Sequence, residues 1–247
     1  SDDTEAIQRA IDTAPTGGRV IFPSGTYAVK RGLVVGRNDL TLRAVGPATV
    51  LAADGADFEY MLFANKRSAI TVQGLIFDAN QASRAAALTT RTCGITMTDC
   101  IDSAVLECTV RNTRGRGSMV ATAIAFGGLS RNCTVQNCRL ENCGTLDGAS
   151  DGVFTSGSGH RISDSVAVEC RDTGFVIESS VGSGMHDCLS INCGAGFAIT
   201  NASGLDATDN FAERMEVRGW DASVTGGVQI GNPASWTKGH LLRTRIQ

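Results

Sequence analysis

The sequence predicts an all-β chain that winds as a single-stranded right-handed parallel β-helix, a solenoid of about eight coils. A pattern recurs in the second half with a step of 22 residues, beginning at Gly152, Gly174 and Gly196. Each repeat holds three short β-type runs separated by Gly, Asn, Asp and Ser, and no run is long enough for an average helix. Aromatic residues are only 5% of the chain, whereas 29 of its 247 residues are Gly, which favours thin and repetitive packing.

The first 18 residues are predicted to form a capping helix, and residues 19–247 to form the β-helix as one domain. Ile7 and Ile11 have helical spacing, and the acidic Asp3 suits the start of a helix, where negative charge is favoured. A short amphipathic helix at this position would cover the open first coil, as the terminal repeat of a solenoid requires.

Stacked coils place equivalent residues of neighbouring repeats above one another, about 4.8 Å apart. The alignment of the repeats predicts two interior ladders of mainly apolar residues and two ladders of cysteines: Val153, Phe175 and Phe197; Thr155, Ile177 and Ile199; Cys108, Cys138 and Cys188; Cys170 and Cys193. The nine cysteines include no CxxC pair, so we predict buried thiols and no metal site. A disulfide between neighbouring coils is the alternative, because one strand spacing lies within the allowed Cα range.

A row of polar residues recurs at the end of each second β-type run, at Asn137, Asp164, Asp187 and Asp209. Polar side chains stacked at a tight turn can satisfy the backbone amides of that turn. We therefore predict that these residues form turns, and we do not count their carboxylates among the catalytic candidates.

Charge and hydropathy exclude some classes of partner. The formal net charge of −3 gives no overall positive charge that would attract nucleic acid. The sequence contains no run of 18 apolar residues, so no membrane-spanning helix is predicted. No cofactor is predicted. The segment from Gly226 to Gln247 still has the pattern of a strand-bearing coil, which would leave unpaired strand edges. We expect the native chain to continue past Gln247, or another chain, such as a partner in a homotrimer, to cover this end.

Several short motifs near the N-terminus are typical of one group of proteins: Asp2-Asp3-Thr4, Gly17-Gly18, Phe22-Pro23-Ser24-Gly25-Thr26-Tyr27 and Gly74-Leu75-Ile76-Phe77-Asp78. They resemble the opening of the pectate-lyase-3-like proteins of the pectin-lyase-like superfamily, which includes phage tailspikes, polysaccharide lyases, polygalacturonase-like hydrolases and C5-epimerases. The resemblance implies a β-helix that acts on polysaccharide. It implies no particular reaction, because the Asp-Pro-His motif of the epimerases and the polygalacturonase motifs are absent.

Enzymes similar to this chain work on the face made by the first strand of each coil and the loop before it. The resemblance therefore implies catalytic roles on this face for Asp151, Asp172 and Glu178. Glycoside hydrolysis needs two carboxyl groups about 5–9.5 Å apart, and neighbouring coils can supply that spacing. The alternative is that Glu178 is a solvated surface acid and that the two aspartates serve solubility and turn capping.

Five further residues are predicted to bind the substrate: Arg114, Arg116, Arg171, Asp147 and His160. Arginine can hold the carboxylates of an acidic polysaccharide through two parallel hydrogen bonds, and histidine can transfer protons near neutral pH. The alternatives are a mobile basic surface loop for the arginines and an ordinary surface position for His160.

We therefore expect a polysaccharide-binding protein that cleaves or modifies its ligand as a hydrolase, lyase or epimerase, located outside the cell or on a virion. The alternative function is a non-catalytic structural or adhesive module, such as a component of a phage tailspike or fibre. The absence of the activity motifs favours that alternative, and the acids on the first-strand face favour the enzyme.

Overall fold

The computed structural model describes residues 2–84, 89–144, 148–200, 202, 204–213 and 240–244. Within these residues the chain winds as a right-handed parallel β-helix, as predicted. It begins with one ten-residue helix, and a second helix of four residues interrupts the coils: α1 (Thr4–Thr13) and α2 (Gln81–Arg84).

The first strands of successive coils form a parallel sheet of seven strands, which we call sheet 1: β2 (Leu33–Val35), β4 (Tyr60–Asn65), β6 (Cys93–Thr98), β9 (Gly117–Gly127), β12 (Gly148–Ser158), β15 (Thr173–Val181) and β18 (Ala195–Thr200). The remaining strands form sheet 2: β1 (Gly18–Val29), β3 (Leu40–Ala52), β5 (Ile70–Asp78), β7 (Ala104–Leu106), β8 (Thr109–Arg111), β10 (Thr134–Gln136), β11 (Arg139–Glu141), β13 (Arg161–Ser163), β14 (Val166–Val168), β16 (Gly184–His186), β17 (Leu189–Ile191), β19 (Asp206–Glu213) and β20 (His240–Thr244).

The interior has the register that the repeats predict. Val153 pairs with Phe175, which pairs with Phe197, and the two phenylalanine rings stack with their centroids 5.5 Å apart. Thr155 pairs with Ile177 in the same way. These side chains fill the narrow space between the sheets, so each coil is held mainly by contacts with the coils next to it.

The cysteine ladders also form inside the coils, and all nine cysteines are buried free thiols. Ser165 stands between Cys138 and Cys188, since its Oγ accepts a hydrogen bond from the backbone N–H of Cys138 at 3.1 Å. The interior therefore uses these thiols as small hydrophobic side chains.

The polar row predicted to form turns lies between the second and third strands of each coil. Its four members adopt positive φ angles of 51–56°, a region where Asn and Asp are the least strained of the non-glycine residues: Asn137, Asp164, Asp187 and Asp209. The turn-forming role is confirmed.

Helix α1 covers the first coil. Ile7 and Ile11 are buried, and the Gln8 side chain bonds both backbone groups of Val34, donating to its carbonyl at 2.8 Å and accepting from its N–H at 2.9 Å. Asp3 similarly pairs with Ala28. The N-terminal segment thus supplies hydrogen-bond partners that an end strand would otherwise lack. No helix within the described residues is long and apolar enough to cross a membrane.

The last described strand differs from the sequence-based expectation. Strand β20 pairs antiparallel with β19, with Leu241 opposite Phe211, and so is not a further parallel coil. Residues 214–239 and 245–247 lie outside the described part of the chain. The covering of this end by more chain or by a partner stays a prediction.

Candidate functional site

The outward face of sheet 1 carries the predicted acids. From Val153 onward the side chains of β12 alternate, so Val153 and Thr155 point inward and Phe154 points outward. The alternation is interrupted just before, because Gly152 also faces the interior, and Asp151 is therefore partly exposed on the outward side. Parallel pairing arranges the outward residues in rows along the helix axis. One row consists mostly of apolar side chains: Phe63, Thr96, Ala125, Phe154, Val176 and Ala198. Within this row, Phe154 lines an open groove on the outward face.

Asp151 lies opposite Thr173 of the neighbouring coil, and Asp172, the residue before Thr173, is close enough for its charge to act on Asp151. The backbone N–H of Thr173 donates to Oδ1 of Asp151 at 3.0 Å, and the N–H of Asp172 donates to the carbonyl oxygen of Ser150 at 3.2 Å. Together these bonds attach the start of β15 to the start of β12. The fold therefore fixes the Asp151 carboxyl group near the start of both strands.

Burial and the negative charge of Asp172 raise the pKa of Asp151 from 3.8 to about 7. The hydrogen bond from Thr173 opposes this change, and the charge of Glu178 adds a smaller increase. Asp151 thus retains its proton close to neutral pH. A protonated carboxyl group beside an acidic neighbour can act as a general acid.

Glu178 lies five residues beyond Thr173 along β15, which is about 16 Å of extended strand. It pairs with Thr200 of the next coil. Its side chain lines an open groove of about 500 Å³ together with Leu129, Arg131 and Phe154. The structure therefore brings Asp172 closest to Asp151, whereas Glu178 lies further along β15, where its charge has a smaller effect on Asp151.

His160 lies inside the coil and is only 1% exposed, so the prediction that it binds substrate is wrong. Nδ1 accepts a hydrogen bond from the backbone N–H of Cys133 at 3.2 Å, and Nε2 donates to the carbonyl oxygen of Ser156 at 2.9 Å. Burial lowers the pKa of His160, so the neutral ring is favoured. The imidazole therefore links the backbone of Cys133 to that of Ser156 inside the coil.

The predicted substrate-binding arginines differ in exposure. Arg114 is 8% exposed and its backbone pairs antiparallel with Thr92, so the expectation of an exposed clamp at this position is wrong. Arg116 and Arg171 are exposed, and Arg171 directly precedes Asp172. Asp147 lies outside the described residues.

Four residues of this face were not predicted from the sequence. Tyr60 and Phe63 point outward from β4 with their rings stacked at a centroid distance of 4.9 Å. Arg91 forms an ion pair with Glu59 at 2.9 Å beside them, and it also donates to the carbonyl oxygen of Val120. The sequence feature that could have identified this aromatic pair is the spacing Tyr60-x-x-Phe63 around two apolar residues.

Comparison with known proteins gives matches to polysaccharide-active families. A family model described as rhamnogalacturonase A/epimerase, pectate lyase-like matches residues 1–221. A segment of 54 residues is 43% identical to an exo-poly-alpha-D-galacturonosidase from Dickeya chrysanthemi. That segment is 22% of this chain and only 9% of the relative, so the similarity covers a small part of either protein.

Two solved structures share the fold at low sequence identity. The family 28 exopolygalacturonase of Yersinia enterocolitica is 14% identical with a TM-score of 0.66, over 93% of this chain and 53% of that one. The endo-xylogalacturonan hydrolase of Aspergillus tubingensis is 15% identical with a TM-score of 0.65, over 90% and 66% respectively. The chain thus spans between half and two thirds of these enzymes. Because the family model covers most of the sequence, the protein belongs to the rhamnogalacturonase A/epimerase, pectate lyase-like family.

Proposed function

We propose that this protein hydrolyses a polysaccharide in the groove of sheet 1, with Asp151 as general acid and Asp172 as the second carboxylate. The observation that carries the proposal is the position of these two aspartates on neighbouring coils, where Thr173 holds the Asp151 carboxyl group. The raised pKa of Asp151 supports the assignment of the acid, and the charge of Asp172 is one cause of that rise.

In this reaction Asp151 donates its proton to the glycosidic oxygen while the bond from that oxygen to the anomeric carbon breaks. The leaving sugar departs as a neutral alcohol. Asp172 compensates the positive charge at the anomeric carbon, either by bonding to it or by taking a proton from an attacking water. The water-derived hydroxyl group ends on the anomeric carbon, and the remaining proton restores the acid.

Relatives and charge together favour a galacturonate-containing polysaccharide as substrate. The relatives named above are a galacturonosidase, an exopolygalacturonase and a xylogalacturonan hydrolase. Arg116 and Arg171 are exposed, Arg171 directly precedes Asp172, and both could pair with uronate carboxylates. Such polymers are encountered outside cells, so we also propose an extracellular site of action.

The test is an assay of new reducing ends on polygalacturonate, xylogalacturonan and neutral xylan, with absorbance at about 235 nm followed in parallel. We expect reducing ends from an acidic polymer without a rise in absorbance. Asp151→Asn and Asp172→Asn should each lower kcat by roughly 100-fold or more. Asp187→Asn is the matched control, because this aspartate forms a turn where asparagine is equally suitable.

Other results would contradict the proposal in distinguishable ways. A rise in absorbance would indicate elimination, and therefore a lyase. Glycan binding without any product would favour the non-catalytic adhesive module. Full activity in both aspartate variants would show that hydrolysis occurs elsewhere on the protein.

A further inference from the structure

The aromatic pair Tyr60 and Phe63 has no role in filling the core. Met61 and Leu62, which lie between them in sequence, are 0% and 1% exposed and already occupy the interior positions of β4. The two outward rings are half-buried and inclined by only 23° to each other. The rings therefore stack on each other on the outward face of β4, and each leaves part of its surface open to a ligand.

This surface is held in place by polar neighbours. Tyr60 hydrogen-bonds with Glu59 and Arg91, and these two side chains form an ion pair at 2.9 Å while remaining partly exposed. The rings are therefore positioned before any ligand arrives, which lowers the entropic cost of binding. The exposed edges of the ion pair offer both donors and acceptors next to the rings.

Phe63 and Phe154 stand in one row of sheet 1. Strand pairing leads from Phe63 to Thr96, then to Ala125 and then to Phe154. Three strand spacings separate the two phenylalanines, which is about 14 Å. The residues between them, Thr96 and Ala125, are small, so the row is lower there than at the two aromatic positions.

We propose that Tyr60 and Phe63 form a second sugar-binding subsite, three coils from Phe154, for one linear polysaccharide that lies along the helix axis. This inference rests on the proposed function and adds the length and direction of the substrate. Sugar rings stack their apolar faces on aromatic side chains, while hydroxyl groups around the ring need polar partners such as Glu59 and Arg91. Each sugar of an extended chain advances by about one coil, so about three sugars span the distance.

Binding of oligogalacturonates from dimer to octamer tests the subsite, measured by calorimetry in an Asp151→Asn background that prevents cleavage. Tyr60→Leu and Phe63→Leu should weaken binding of the hexamer and octamer by roughly tenfold, because the flat ring is lost while apolar bulk remains. Binding of the dimer should change less than twofold. Tyr60→Phe keeps the ring and should retain most of the affinity for long chains.

The control is Ile21→Ala, which removes an exposed apolar side chain from β1 of sheet 2, and thermal melting checks that each variant is folded. Equal affinities of all variants for long chains would overturn the subsite, as would equal losses for dimer and octamer. If the wild type cleaves nothing yet binds long chains through Tyr60, the subsite stands and the proposed hydrolysis fails. If the wild type cleaves polymer and Tyr60→Leu binds it normally, only the subsite fails.

Discussion

The backbone N–H of Thr173 donates a hydrogen bond to Oδ1 of Asp151 across 3.0 Å, and this bond joins two neighbouring coils at the candidate acid pair. A hydrogen bond from an N–H favours the charged carboxylate and lowers its pKa, yet the pKa of Asp151 is raised to about 7. Burial and the charge of Asp172 therefore outweigh it. The same bond fixes the direction of the carboxyl group, which a proton donor needs.

The pH dependence of hydrolysis should follow the proton of Asp151. Because this group must be protonated to act as general acid, kcat should fall above about pH 7, approaching a tenfold loss per pH unit. The measurement is a pH profile of kcat on the best acidic polymer. Asp187→Asn should leave the profile unchanged. An alkaline limb that begins only above about pH 9 would remove Asp151 from the role of acid.

Asp151 should also make stability depend on pH. Between about pH 4 and 7 the folded protein keeps a proton that the unfolded chain has lost, so the free energy of unfolding falls as pH rises through this window. The rise from 3.8 to about 7 corresponds to at most about 4 kcal/mol, and we expect about 2 kcal/mol because Asp151 keeps part of its surface in contact with water.

Asp151→Asn removes the fall in the free energy of unfolding with rising pH. The variant should therefore be more stable than the wild type above pH 7 and nearly as stable as the wild type near pH 4. Urea unfolding at both pH values measures the difference. Asn can still accept the bond from Thr173, which keeps the comparison clean. A variant that is less stable at about pH 8.5 would show that the carboxylate is not destabilised by burial.

The interior of the second half could be predicted from the sequence because its repeats have one length. The step of 22 residues aligns Val153 with Phe175 directly, and the paired strands have that register. His160 was misplaced because its ladder neighbours are Cys133 and Ser183, at separations of 27 and 23 residues. Because the turns differ in length from coil to coil, an alignment with one fixed repeat length does not place these residues at equivalent positions.

The aromatic pair on β4 was missed for a related reason. The coils near the N-terminus are longer, and Tyr60 pairs with Cys93, a residue of quite different size. The residues that pair with Tyr60 on successive coils are not of one type. That the Tyr60 side chain points outward therefore follows only from the strand register. Asp172 is predictable because it stands two residues before Gly174, where the repeat is regular.

Helix α1 should stabilise the protein through Gln8 as well as through its apolar side chains. Gln8→Ala leaves the N–H and carbonyl of Val34 without their partner and should lower the free energy of unfolding by about 1–3 kcal/mol. Arg9→Ala is the matched control, since Arg9 is exposed on the next position of the helix. Urea unfolding of both variants measures the effect. Equal stabilities would mean that water replaces Gln8 at this edge without cost.

The nine thiols should be unreactive in the folded protein and fully titratable after unfolding. Burial raises the pKa of Cys133 to about 11 and that of Cys188 to about 12, so these two form little thiolate at neutral pH, and burial keeps the reagent away from all nine. An aromatic disulfide reagent should count nine thiols per chain in denaturant. Two fewer would reveal a disulfide between coils, which is the alternative that the sequence left open.

Cys193 should be the first thiol to react when the folded protein opens locally. A hydrogen bond with Cys170 lowers the pKa of Cys193 despite its burial, so its thiolate forms more readily than that of Cys133 or Cys188. Cys193→Ser should therefore remove the fastest phase of labelling, whereas Cys133→Ser should leave that phase intact. Labelling is followed by mass spectrometry of peptides. If the fastest phase survives in Cys193→Ser, the order of reaction is governed by local opening rather than by thiolate formation.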